Sequence, residues 1–153
     1  MCFQLYAGTT NPIPRIAWNH GARDISVQSL KEVEKGIRQH FANPEVQYIG
    51  STTGCGCGFP NVMWQNGGWP HWDDPNEISD PSDIAEDRFN CEGLVNLLRS
   101  TGEESVELYG IWSGNEQKPP HAREVIDVND ILDPAFLFKE YGYYTVILRK
   151  TDR

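Results

Sequence analysis

The 153-residue chain sets 13 Lys and Arg against 22 Asp and Glu, a formal net charge of −9 at pH 7, with the basic residues scattered along its length. Such a surface repels a polyanion, which sets nucleic acid aside as a partner. Charged residues at 23% and hydrophobic residues at 39% describe a globular chain, and no apolar run nears the ~20 residues that cross a bilayer, so no membrane partner is expected.

A chain of this length reads as one domain over 1–153, large enough to need no staple. The start "MCFQLYAGTTNP" carries neither the basic nor the apolar region of a secretory signal. A soluble, cytoplasmic protein is expected, in whose reducing surroundings four cysteines serve as free thiols, metal ligands or catalytic groups.

The stretch "CFQLYA" (2–7) has strand composition and is stopped by "GTTNPIP". Leu30, Val33, Ile37 and Phe41 then recur at helical spacing, and Ser29 with Glu32 has the spacing of a capping box. Asn43-Pro44 ends that helix. "VQYIGS" (46–51) is a second strand running into a glycine-rich loop, and an irregular stretch rich in Trp, Pro and acids fills 59–81. Asp80-Pro81 opens a second helix, with Ile84, Cys91, Leu94, Val95 and Leu98 on one face. Gly93 is expected to divide it, with Asn90 capping the shorter piece, and Gly102 to stop it. Strands follow at 105–112, 124–131 and 143–150, with 133–142 as one helical turn or an irregular apolar plug.

The order β-α-β-α-β-β-β predicts an α+β fold, one mixed sheet of about five strands carrying two main helices. If the first two strands are adjacent and parallel, they form a right-handed βαβ unit. Ligands in such units bind beyond the carboxyl ends of the strands. That reading gathers Thr9, Thr10, Thr52, Thr53, Gly54 and Gly56 as a ligand-binding edge, together with Cys55 and Cys57.

The loop "GSTTGCGCGF" (50–59) holds those two cysteines one residue apart between glycines. Thiolates one residue apart can ligate a soft metal, with zinc as the candidate cofactor, although zinc sites more often pair cysteines two to four residues apart. Parallel strands would put Cys2 about 20 Å from the loop, so a Cys2–Cys55–Cys57 site requires antiparallel strands or a loop that folds back. The glycines match neither a P-loop nor a dinucleotide fingerprint, because no Lys follows and Phe59-Pro60 stands where a helix would start. Thiol catalysis makes Cys55, Cys57 and Cys2 the candidate catalytic residues. With Met1 removed, Cys2 would be an amino-terminal nucleophile. "Met-Cys" resembles the start of the glutamine amidotransferases with an N-terminal cysteine in these two residues, Phe3 standing where they carry glycine. The plainest alternative is a tight bend without chemistry.

Trp64, Trp69 and Trp72 beside Asp73 and Asp74 offer rings and charge to a basic protein partner. Two functions of different class therefore follow. One is a small intracellular protein with a ligand, metal or thiol site centred on Cys55 and Cys57. The other is a non-catalytic acidic binding module, immunity- or inhibitor-like, that uses segment 64–87.

Overall fold

The computed structural model describes residues 2–21, 24–61 and 81–149. In chain order they form β1 (Phe3–Thr9), β2 (Ser26–Ser29), a 3-10 helix (Glu32–His40), β3 (Glu45–Gly50), a short 3-10 turn (Gly56–Gly58), α1 (Pro81–Ser100), β4 (Ser105–Trp112), β5 (Ala122–Asp127), a 3-10 segment (Val128–Leu132) and β6 (Gly142–Ile147). The strands make one six-stranded sheet in the order β2-β3-β1-β4-β6-β5, antiparallel except for β5 beside β6. This is the α+β fold with one mixed sheet that the sequence predicts, with one strand more.

The extra strand is β2, and it reverses the expected geometry. Ser29 is the last residue of β2 rather than a helix cap. The helix starts later, where the Glu34 carboxylate accepts the Lys31 N–H at 2.9 Å and the Glu34 N–H donates to the Lys31 carbonyl at 2.9 Å. The 3-10 helix connects β2 to β3, and β3 then inserts between β2 and β1, antiparallel to both. The parallel βαβ unit is thus replaced by an antiparallel pair in register from Leu5↔Ile49 to Thr9↔Glu45.

Alternation along β1 sends Gln4 and Tyr6 to one face and Phe3, Leu5 and Ala7 to the other. The first face is covered by the 3-10 helix. Its Glu34 accepts the Tyr6 hydroxyl at 2.6 Å, and His40 packs edge-on against Tyr109, as does Tyr48 against Tyr6. On the second face Phe3 meets Phe138, which also contacts Phe59 and Tyr144. Apart from His40, these rings belong to one core cluster, to which α1 adds Cys91, Leu94, Val95 and Leu98.

Three smaller expectations change. α1 runs unbroken through Gly93, whose missing side chain leaves room for Ile25, since a Cβ there would stand 2.8 Å from it. Asn90 is therefore interior to the helix. β5 ends at Asp127, where the Asp127 carboxylate accepts the Asn129 N–H at 2.9 Å and starts the 3-10 segment. The stretch after it is irregular and apolar, with Phe138 wholly buried and its N–H donating to the Pro60 carbonyl at 2.8 Å. Gly102 ends α1 as expected, at φ +70°.

Candidate metal centre

Antiparallel pairing brings the start of β1 to the end of β3, which is where the cysteines are. Cys2 precedes Phe3 and is held from the β4 side: its carbonyl accepts the Ser113 N–H at 2.9 Å, and its own N–H lies 3.5 Å from the Ser113 hydroxyl. Cys55 and Cys57 lie in the loop leaving β3. The loop turns at Gly54, whose φ of +88° favours glycine, with the Ser51 N–H donating to the Cys55 carbonyl at 2.8 Å.

The wholly buried Asn90 of α1 fixes the outside of this loop. Its carbonyl oxygen accepts the Thr52 N–H at 2.9 Å, and its amide donates to the Gly58 carbonyl at 3.1 Å. Ser51 fixes the inside, its hydroxyl donating to the Cys55 carbonyl at 2.6 Å and accepting the Gly58 N–H at 3.1 Å. Gly56 then passes so close to β1 that a Cβ would lie 2.7 Å from the Phe3 carbonyl oxygen. Only glycine fits there without moving backbone.

The outcome is that the sulfurs of Cys2, Cys55 and Cys57 all lie within 4.8 Å of one another. Zinc–thiolate bonds of about 2.3 Å place tetrahedral sulfurs about 3.8 Å apart, so closing around an ion needs only about 1 Å per pair. Among the described residues, no other group of three His, Cys, Asp or Glu side chains is placed to hold an ion. Cys2 is exposed and the other two are half-buried, so the cluster has an open side.

The thiols share protons unequally. Donation from the Cys57 thiol holds Cys55 down at about 5, helped by the Thr53 hydroxyl, the Cys57 N–H at 3.4 Å and the Cys2 thiol, and opposed by burial. Cys57 is pushed up in turn by its bond to Cys55 and by burial. A cation bound there would take the place of the protons these thiols share. Tyr48, whose hydroxyl lies 3.4 Å from the Gly54 carbonyl, is pushed upward by burial and then by Cys55.

The residues expected at one edge divide. Thr52, Thr53, Gly54 and Gly56 accompany the two loop cysteines. Thr9 and Thr10 do not: Thr9 pairs with Glu45 at the far end of β1, and the Thr10 N–H donates to the Glu103 carboxylate at 2.7 Å. The parallel arrangement that would have gathered them does not exist. Cys91 is buried, as its helical spacing implies, and burial pushes its thiol up to about 12. Trp64, Trp69, Trp72, Asp73 and Asp74 lie outside the described residues. Sequence reasoning missed Asn90, Ser51 and Ser113 as supports of the site. Asn90 did carry a signal, a polar side chain four residues before Leu94 on the apolar face of α1.

Comparison of the chain with protein-family models, curated proteins and solved structures found no match. Among the described residues no helix is long and apolar enough to cross a membrane.

Proposed function

We propose that the protein binds a soft metal ion, with zinc as the leading candidate, through the thiolates of Cys2, Cys55 and Cys57. The observation that carries this reading is the convergence of three sulfurs from two distant parts of the chain within 4.8 Å. Hard cations such as Mg²⁺ and Ca²⁺ take oxygen ligands, whereas an all-sulfur set selects zinc or copper(I). Three protein ligands leave a tetrahedral ion one position for water or a further ligand, the pattern of reactive rather than closed structural zinc sites. When bound, such an ion supplies a Lewis acid. The chain's own part is to hold three sulfurs on one side of it, two on a pinned loop and one at the start of a central strand.

Titration of the reduced, metal-free protein with Co²⁺ tests the assignment. One equivalent should develop a thiolate-to-cobalt charge-transfer band with the visible bands of a tetrahedral ion, and zinc should bleach both. Cys2→Ser, Cys55→Ser and Cys57→Ser should each weaken binding by at least about tenfold, while Cys91→Ser should leave it unchanged. A Cys2→Ser protein that binds cobalt as the parent does would remove the three-thiolate reading.

A further inference from the structure

The sheet face that carries Gln4, Tyr6 and Tyr48 opens beside the cysteines into a cleft of about 300 Å³. Its walls include Tyr48, Gly54 and Ser113, which adjoin the three thiols, and the charged side chains of Lys31, Glu34 and Glu116. Gly54 is next to Cys55 in the chain, Ser113 clasps the backbone of Cys2, and the Tyr48 hydroxyl lies 3.4 Å from the Gly54 carbonyl. Any molecule in the cleft is therefore a neighbour of the proposed metal.

Glu34 sets the chemistry of the cleft. It is 5% exposed, and its carboxylate is engaged by the Tyr6 hydroxyl and the Lys31 N–H, both neutral donors. Among the described residues, no Lys, Arg or His side chain forms an ion pair with it; the ion pairs there are Lys35 with Glu32 and Lys139 with Glu124. A buried carboxylate without a cation is costly, and two hydrogen bonds fill only about half of its lone-pair positions. Glu116 adds a second negative charge, with one oxygen accepting the Gly114 N–H at 3.2 Å. The Tyr48 ring offers an aromatic wall of the kind that attracts cations. Two carboxylates against the single lysine make the cleft negative.

We infer that this cleft binds a small organic cation with N–H donors, a primary alkylammonium. Its ammonium pairs with Glu34 and Glu116, and its carbon chain lies along Tyr48 toward the cysteines. The inference deepens the metal reading, on which it rests for the ligand's position near the ion. Its charge pairing does not need the ion.

The test is a calorimetric and NMR titration of butylammonium chloride into the full-length protein at constant ionic strength, once zinc-loaded and once chelator-treated with reduced thiols. Butan-1-ol, which has the chain without the charge, and tetramethylammonium, which has the charge without N–H groups, are the controls. Butylammonium should bind saturably and both controls at least about tenfold more weakly, because a hydrogen bond to a charged group carries roughly that factor or more. Glu34→Gln should weaken butylammonium by about tenfold, and Glu116→Gln by a smaller factor. If Glu34→Gln does not fold, a wild-type affinity in Glu116→Gln counts against the pairing. Absence of saturable binding up to about 50 mM in both forms, or equal affinity for butan-1-ol, overturns the inference. Cys55→Ser separates the two readings, since it should weaken zinc binding by at least about tenfold and keep butylammonium binding. Ammonium binding in a protein that takes no metal would end the metal reading and leave the cleft's ligand standing.

Discussion

The four cysteines differ in what surrounds each sulfur, and their reactivity should follow. Cys91 lies in the core, its thiol pushed up to about 12, whereas Cys55 is held low by its neighbours and is half-buried. Iodoacetamide applied to the native, metal-free protein should label Cys2 and Cys55 first and Cys91 only on unfolding, as peptide mass spectrometry would show. Zinc should protect the first two. Early labelling of Cys91 would contradict the burial that defines it. The sequence disclosed part of this: the Cys-Gly-Cys spacing marked the loop, and the helical spacing marked Cys91 as core. It did not disclose the partnership of Cys2, because a residue's neighbours across a sheet depend on strand direction, which no local pattern records.

Among the elements, α1 holds the cysteine loop through the buried Asn90 and through the Glu86 carboxylate, which accepts the Thr52 hydroxyl at 2.6 Å. Asn90→Ala would leave the Thr52 N–H and the Gly58 carbonyl without their partner. It should lower stability by about 1–3 kcal/mol in urea unfolding and loosen zinc in a competition assay. Asn96→Ala, exposed on the same helix, should do neither. Gly56→Ala probes the other side of the loop. Its Cβ would meet the Phe3 carbonyl backbone, so the loop should back away from Cys2, and cobalt binding should weaken more than the circular dichroism changes. A variant with wild-type cobalt affinity would show that the close approach is not what brings the thiols together. β2 escaped notice at this scale for a physical reason. It is four residues of mixed polarity, and Leu30 just beyond it fits the helical spacing that follows. Overlooking one short strand reversed the inferred direction of the next.

In the whole molecule, four tyrosines tie stability to alkaline pH. Tyr109 and Tyr144 are pushed up to about 12, chiefly by burial, and Tyr6 and Tyr48 are pushed up further. Unfolded tyrosines titrate near 10, so above about pH 10 the unfolded chain loses protons that the folded chain keeps. Their contribution is complete below that value and is lost as pH rises toward and through the folded values. The urea midpoint should fall steeply above about pH 10, and near-ultraviolet titration of the native protein should show these four ionising only as the fold is lost. Fold class was readable at this scale, because strand and helix composition alternates clearly in "SVELYGIW" and in the Leu94–Leu98 stripe. Strand order and direction were not, since they follow from tertiary pairing.

The clasp between the head of β1 and the loop after β3 would also give the proposed metal binding a place in the order of folding. Cys55 and Cys57 are companions in any conformation, so an unfolded chain can offer an ion two sulfurs. The third arrives only when β1 and β3 have found their antiparallel register. Capturing it shuts a ring running from residue 2 to residue 55, whose closure costs the open chain about 4 kcal/mol on polymer statistics. The affinity of the proposed ion would thus record whether the centre of the sheet has formed, and its removal would fall hardest on that centre rather than on the outlying strands.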